Sequence, residues 1–233
     1  MSLTNASSTR AGHLPALTVA AATGTCCKGR RDARKGMNQL NQLGNKHDQA
    51  RDLERLLRLQ SMPIALKMVT AEKEIPGNAL RPMKDRGHHL SFCQALAWTR
   101  RKGLTIAETR EDMWCFEPVV GLGFVKAPQQ FLNGHNRYPG SARNLAAGAT
   151  WAQNMPRFDY PQYRAVVTAP LETTTFEPDI FLLYGSPAVM TQIMMAKNWL
   201  DGKDIETTMT GHAACLYYVV PAIKNGQWRM SIP

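Results

Sequence analysis

The sequence lacks any apolar run close to the roughly 18–20 residues that a membrane-spanning helix needs, although 44% of its 233 residues are hydrophobic. It also lacks a C-x-x-C pair, zinc-finger spacing, a helix-turn-helix pattern and the aromatic strand motif of RNA-binding domains. These absences argue against a membrane protein and against the common nucleic-acid-binding modules. The chain is long enough to bury a core without disulfide bonds.

The basic residues are unevenly placed, which changes how the formal net charge of +10 is interpreted. Residues 1–36 hold six of the 28 lysines and arginines against a single aspartate, and so carry half of that net charge. The remaining body is only mildly basic, which argues against a nucleic-acid partner. Whether the partner is a small molecule or a redox protein, and which oligomer forms, is left open by the sequence.

Residues 1–36 differ in composition from the rest of the chain. They are rich in Ser, Thr, Ala and Gly and end in the basic stretch KGRRDARKG. Their apolar stretch LPALTVAAA resembles the core of a signal peptide, but Arg10 is the only charge ahead of it and Cys26 has no convincing lipoprotein site before it. We therefore predict a disordered or non-native leader over 1–36, which places Cys26 and Cys27 outside any site, and one domain over 37–233.

Helical and strand patterns alternate along the predicted domain. The helical stretches begin at about 48, 92, 187 and 213, and Pro221 is expected to end or kink the last one. The strand patterns cover 63–69, 104–109, 164–170, 179–184, 205–209 and 228–232. Residues 70–90 and 127–163 resemble loops because glycine and proline recur in them. The order predicts an α+β fold with helices packed on a mixed sheet; a doubly wound α/β sheet is the alternative.

Three cysteines, Cys93, Cys115 and Cys215, lie within the predicted domain. Ser91 is the predicted N-cap of the helix over 92–102, so Cys93 falls in its first turn, where the backbone N–H groups favour a thiolate. Cys215 opens the last helix in the same way. The odd number and wide spacing of the cysteines argue against a disulfide framework and predict reduced thiols in the cytoplasm.

If these three thiols meet in space, they form a soft ligand set that suits an iron–sulfur cluster or zinc. Small buried core residues are the alternative interpretation, because free cysteine is among the most buried residue types. Lys67, His89 and His212 are candidate substrate contacts, although a solvated lysine and loop histidines are the plainer interpretation. A fourth ligand would be His89, His212, an external ligand or a cysteine beyond Pro233.

Several blocks of the sequence carry a resemblance to a known family. These blocks are SMPIALKMV, SFCQALAWTRRKG, EDMWCFEPVVGLG, EPDIFLLYGSPAVMTQIMMA, TGHAACLYYVVPAIKNG and WRMSIP. Over roughly residues 50–233 the chain resembles the bacterial and archaeal family called domain of unknown function 169. The resemblance implies a soluble prokaryotic protein with cysteines at the positions of Cys93, Cys115 and Cys215. In the family a further cysteine commonly follows the strand that matches WRMSIP, so the chain is expected to be truncated at its C-terminus.

Two functions are compatible with this pattern. The first is an iron–sulfur protein with a 4Fe-4S cluster. Such a protein is either linked to redox chemistry or is an enzyme that uses the cluster in its reaction. The second is a binding or regulatory module in which a structural zinc or a free-thiol site holds the fold. Nucleophilic chemistry at one cysteine is a further hypothesis. The sequence does not decide whether the protein is an enzyme.

Overall fold

The computed structural model describes residues 17–22 and 46–232 of the chain. The helices in these parts are α1 Lys46–Leu57, α2 Pro82–Arg86, α3 Phe92–Lys102, α4 Phe116–Gly121, α5 Gln129–Leu132, α6 Leu145–Asn154, α7 Pro187–Asp201 and α8 Ala214–Asn225. The strands are β1 Leu17–Ala22, β2 Ile64–Val69, β3 Ile106–Thr109, β4 Ala165–Pro170, β5 Ile180–Gly185, β6 Glu206–Met209 and β7 Arg229–Ile232. Short 3-10 turns follow β2 and β4.

The described strands form one sheet in the order β3-β4-β2-β5-β1-β7-β6. Neighbouring strands are antiparallel except β6 and β7, which are parallel. This mixed sheet confirms the predicted α+β fold. It differs from the doubly wound alternative, because that fold requires a mainly parallel sheet.

Strand β1 lies inside the stretch 1–36 that the sequence predicts to be a leader. Leu17–Ala22 pairs along its full length with β5 and through three residues with β7, so it joins the two parts of the sheet. An extended apolar segment satisfies the backbone groups that the edges of β5 and β7 would otherwise expose. For residues 17–22 the structure therefore differs from the predicted disorder. Cys26, Cys27 and the boundary at residue 37 lie outside the described residues, and that boundary stays a prediction.

The two faces of the sheet carry different helices. Side chains alternate along a strand, and Ile64, Leu66 and Met68 of β2 belong to the largest apolar cluster together with residues of α3, α4 and α8. The opposite face carries α1 and α7, with Leu183 of β5 and Met190 of α7 in a smaller cluster. The face under α3, α4 and α8 is the one that holds the predicted cysteines.

Local sequence signals are confirmed where the capping residues are clear. Ser91 caps α3 and Gly103 ends it in the left-handed region, at φ 70°. Ser186 caps α7 at 3.4 Å from the amide of Val189. Helices α2, α5 and α6 occupy stretches that were predicted to be loops, because they are short and carry no clear period. Pro221 was predicted to end or kink the last helix; it lies inside α8, which continues to Asn225, so it does not end the helix, and the kink stays a prediction. Burial of the residues around it offsets the missing hydrogen bond.

Candidate functional site

Cys93 lies at the second position of α3, inside the capping box formed by Ser91 and Gln94. The amide of Gln94 donates to Ser91 Oγ at 3.2 Å, and the amide of Ser91 donates to Gln94 Oε1 at 2.8 Å. These reciprocal bonds fix the first turn of the helix. As a residue Cys93 is exposed, although its thiol is turned toward Cys215.

The segment that contains Cys115 is tied to the start of α3 by backbone hydrogen bonds. The amide of Leu90 donates to the carbonyl of Asp112 at 2.9 Å, and the amide of Trp114 donates to the carbonyl of Leu90 at 3.1 Å. The indole of Trp114 also donates to Gln94 Oε1 at 3.2 Å. Cys115 then takes the position before the first residue of α4. Two cysteine-bearing segments are thus joined next to their cysteines.

The buried carboxylate of Asp112 stabilises the contact between the Cys115 segment and the start of α3. This residue is 1% exposed, and its carboxylate accepts hydrogen bonds from the amides of Met83 and Thr109 at 3.0 and 2.9 Å and from the Thr109 hydroxyl at 2.7 Å. Arg81 Nε contacts it at 3.2 Å. Burial raises the pKa of Asp112, but the backbone hydrogen bonds and Arg81 outweigh burial and leave the pKa below its ordinary value. The carboxylate therefore stays charged at neutral pH.

Cys215 lies at the second position of α8, in the same place that Cys93 occupies in α3. Here the capping residue is Ala213, at φ 51° and without a side-chain hydrogen bond. Packing positions this helix: a Cβ on Gly121, the last residue of α4, would lie 2.3 Å from Leu216 Cδ1. The absence of a side chain at Gly121 lets α4 approach α8 beside Cys215.

The three predicted cysteines affect one another's pKa values. Contact with the Cys215 thiol lowers the pKa of Cys93 to about 7, against the opposing effect of burial. The same contact, followed by burial and by the charges of Cys93 and Cys115, raises the pKa of Cys215 well above its ordinary value. Burial and then the charge of Glu117 raise the pKa of Cys115 to about 12, and Cys93 also contributes.

Cys115 is linked to a charged pair outside the thiol cluster. Its Sγ donates to Glu117 Oε2 at 3.3 Å. Glu117 Oε1 in turn forms an ion pair with Arg137 Nη2 at 3.1 Å and accepts from the Asn136 amide at 2.9 Å. The Arg137 guanidinium lies 3.8 Å from the centroid of the Trp151 ring. The Glu117 carboxylate therefore accepts a hydrogen bond from the Cys115 thiol and stabilises its protonated form.

Glu108 is a buried acid that sequence reasoning missed. It is 1% exposed, and neither carboxyl oxygen has a hydrogen-bond partner in the described structure. Burial raises the pKa of Glu108 well above its ordinary value, and the charges of Asp112 and Cys93 add to the effect. Its strand, β3, is short, and an acidic residue there is typical of an exposed face, so only the packed structure reveals a buried acid with a raised pKa near Cys93.

Two tyrosines beside the thiols were also missed. The Tyr218 hydroxyl lies 3.1 Å from that of Tyr184. Burial raises the pKa of Tyr218 well above its ordinary value, with further contributions from Tyr184, Cys215 and Cys93. Tyr218 is three residues after Cys215 and therefore lies on the same face of α8. This helical spacing is visible in the sequence.

The structure places the three predicted substrate contacts as follows, and their role stays a prediction. Lys67 alternates with the core residues Leu66 and Met68 of β2 and so lies on the other face of the sheet. His89 is exposed, with Nδ1 2.8 Å from the carbonyl of Glu111. His212 precedes Cys215 by three residues and is exposed.

In residues 17–22 and 46–232, no three His, Cys, Asp or Glu side chains lie close enough together to hold one metal ion. No helix in these parts is both long and apolar enough to cross a membrane. Cys93, Cys115 and Cys215 are all free thiols.

Fold and site together define an α+β protein in which Cys93, Cys115 and Cys215 each lie at the start of a helix on one face of the sheet. Residues 52–233 match the family model DUF169, described as "Uncharacterised ArCR". Because the match covers most of the chain, the protein belongs to this family. The family match extends to the last residue of the sequence and does not test the expected truncation. No curated protein and no solved structure matches the chain.

Proposed function

We propose that the protein binds an iron–sulfur cluster, of the 4Fe-4S type, through Cys93, Cys115 and Cys215, and acts as a redox-linked protein or a cluster-using enzyme. One observation carries the proposal: three cysteines that are distant along the chain interact electrostatically, and each stands at the start of a helix. Such a cluster supplies one-electron chemistry when bound.

The donor set fits the ligand chemistry. Iron–sulfur clusters are held by thiolates, and a pKa of about 7 means that Cys93 is about half deprotonated at neutral pH. Burial and Glu117 raise the pKa of Cys115 to about 12, so binding of the cluster would have to displace the Cys115 proton. A single zinc ion binds each sulfur at about 2.3 Å. The cysteine, histidine and acidic side chains of the described residues are not close enough to one another to form such a site. A multi-iron cluster is wider and accepts more widely spaced thiolates.

The test is the iron and acid-labile sulfide content of full-length protein purified and reconstituted without oxygen. We expect a brown protein with broad visible absorption and an electron paramagnetic resonance signal on reduction. Cys93→Ser, Cys115→Ser and Cys215→Ser should each lose most of the iron. The matched control is the double variant Cys26→Ser, Cys27→Ser, which should keep it. A folded, colourless protein without iron after reconstitution would overturn the proposal.

A free-thiol site in a binding or regulatory module is the second candidate. The observation that favours it is the exposed Cys93, which accepts a hydrogen bond from a buried thiol and has a pKa of about 7. Zinc analysis separates a structural-zinc version from a metal-free one. Rapid alkylation of Cys93 alone, in protein that takes up neither metal, would select the free-thiol version. Both candidates need reduced thiols, and for that reason we assign the protein to the cytoplasm.

A further inference from the structure

A cavity of about 250 Å³ opens beside the first residue of α4. Its wall combines aromatic, amide and imidazole side chains, from Phe116, Pro128, Gln130, Phe131, His135 and Asn136. In the described part of the chain, no lysine, arginine, aspartate or glutamate lines it. Cavities that hold drug-sized ligands begin at about 300 Å³. The size of this cavity therefore fits a molecule with a single ring.

The apolar part of the wall includes two aromatic rings from different helices. Phe116 begins α4 and Phe131 lies in α5, and their ring centroids are 5.7 Å apart with planes at 64°. Phe131 is 3% exposed and also packs edge-on against Trp151, whereas Phe116 is partly exposed. Aromatic rings prefer edge-to-face or offset-stacked contacts. A planar ring that enters the cavity can therefore add one such contact to the existing pair.

The polar part of the wall offers hydrogen-bonding groups that the described residues leave unused. The side chains of Gln130 and His135 are exposed and make no hydrogen bond to another described residue. The side-chain amide of Asn136 donates to Glu117 Oε1 at 2.9 Å, which leaves its oxygen as an acceptor. Amide and neutral imidazole groups supply both donors and acceptors. The wall therefore matches a ligand that has a carbonyl oxygen and an N–H group and carries no formal charge.

The loop after α5, which carries His135, is fixed by close backbone packing. The amide of His135 donates to the carbonyl of Gln130 at 3.2 Å. Gly134 has a φ of 89°, and a Cβ on it would lie 2.4 Å from the carbonyl oxygen of Leu145, the first residue of α6. Only glycine allows this conformation and this close approach. The cavity is therefore held in shape by the fold, as small-molecule sites usually are.

We propose that this cavity binds a small uncharged aromatic molecule that has one ring and an amide group. The two phenylalanines contact the ring, and the three polar side chains hydrogen-bond the amide group. The cavity is connected to the cysteine site, because Glu117 accepts from Asn136 through one carboxylate oxygen and from the Cys115 thiol, at 3.3 Å, through the other. That the bound molecule is a substrate rests on the proposed function of the cysteine site. The binding itself does not depend on a cluster.

The test measures the binding of matched probes to reduced full-length protein by isothermal titration calorimetry. Benzamide has the aromatic ring and the amide. Cyclohexanecarboxamide has a saturated ring instead, benzoate has a charged carboxylate instead of the amide, and all have the same number of non-hydrogen atoms. Phe116→Leu keeps an apolar side chain without an aromatic ring, and Gln130→Ala removes one amide. Gln129→Ala is the matched control, because Gln129 is the preceding residue of α5 and does not line the cavity.

We expect benzamide to bind with a Kd of about 1 mM, which is within the range for a ligand of this size. Cyclohexanecarboxamide should bind about threefold or more weakly, because it loses the aromatic contacts, and benzoate should also bind more weakly than benzamide. Phe116→Leu should bring the affinities for the two amides close together. Gln130→Ala should weaken benzamide binding about threefold, as for one lost hydrogen bond, and Gln129→Ala should leave it unchanged.

Absence of saturable benzamide binding by about 10 mM, tenfold above the expected Kd, would overturn the proposal. Equal affinities for benzamide and cyclohexanecarboxamide, tighter binding of benzoate, or equal losses in Gln130→Ala and Gln129→Ala would also overturn it. If Phe116→Leu fails to fold, the probe comparison in the wild type and the two exposed glutamine variants decide the outcome. Iron is measured in the same preparations. Iron-containing protein that does not bind benzamide removes this inference alone, and benzamide binding by protein that takes up no iron on reconstitution removes only the cluster.

Discussion

Helices α3 and α8 both place a cysteine at their second position, yet the two helix starts are held by different forces. The start of α3 is fixed by polar contacts: the Ser91 capping box, the Trp114–Gln94 bond and the Asp112 carboxylate beneath. The start of α8 has no side-chain cap and is positioned by apolar packing of Leu216 against Gly121. The same cysteine position therefore arises from two kinds of local structure.

This difference explains why the two thiols differ in chemistry. Cys93, on the polar side, is exposed and has a pKa of about 7, because Cys215 donates to it. Cys215, on the packed side, is 1% exposed and keeps its proton. A buried donor next to an exposed acceptor makes one thiol reactive at the expense of the other. Helix position alone would have made the two alike.

The largest effect is expected from the polar side, in Asp112→Ala. Removing this carboxylate leaves Arg81 and the amides of Met83 and Thr109 without their buried partner, at a cost of about 3–5 kcal/mol in the free energy of unfolding. Urea denaturation measures it. The wild type should lose this contribution as pH falls through the lowered pKa of Asp112, below the unfolded value near 3.9, and the variant should not. Asp52→Ala, at an exposed ion pair, is the control and should change stability by less than about 0.5 kcal/mol.

On the packed side, Gly121→Ala should destabilise the protein by about 1–3 kcal/mol, because the new Cβ overlaps Leu216 in a buried contact. Gly77→Ala has open space around the new Cβ and should have little effect. In a double-mutant cycle, Leu216→Ala should cost less in the Gly121→Ala background than in the wild type. Independent, additive losses would show that α4 does not set the position of α8.

Cys215→Ala tests whether the packed thiol controls the exposed one. Without Cys215, the pKa of Cys93 should rise from about 7 to at least about 8.5, the ordinary value for a thiol, because the raising effect of burial remains. The midpoint of the pH profile for Cys93 alkylation measures the change in metal-free protein. Cys115→Ala is the matched control and should leave the midpoint near pH 7, since Cys115 is not among the groups that lower it. A midpoint unmoved by Cys215→Ala would mean that the first turn of α3 alone lowers this pKa.

The smallest effects are expected at the two capping residues, and they should have opposite signs. Ser91→Ala removes the acceptor for the Gln94 amide and should cost about 1 kcal/mol. Ala213→Gly relieves a left-handed backbone, at φ 51°, and should stabilise the protein by about 0.5–1 kcal/mol. Thermal unfolding of both variants measures the difference. Losses of equal size at the two positions would remove the contrast between the helix starts.

Much of the fold was predictable because its signals are local. Alternation of Ile64, Leu66 and Met68 predicted both β2 and its buried face. Capping residues such as Ser91 and Gly103 predicted the bounds of α3. The short helices α2, α4, α5 and α6 were not predicted. A helix of fewer than three turns, or one whose apolar and polar residues are not clearly separated, shows little hydrophobic periodicity. Strand β1 was missed for a different reason: it is a strand only because β5 and β7 lie on either side of it.

The amino-acid sequence by itself determined the α+β class, the placement of two cysteines in first helical turns and the family to which the chain belongs. These follow from patterns a few residues long, or from the match along the chain. The three-dimensional packing was needed to show that Cys93 has the lowest pKa of the three thiols, that the thiols affect one another's pKa values and that Lys67 lies on the opposite face of the sheet. It was also needed to show that Glu108 is buried and has a raised pKa. Burial and charge at these groups come from neighbours that are distant in sequence, and no local pattern records those neighbours.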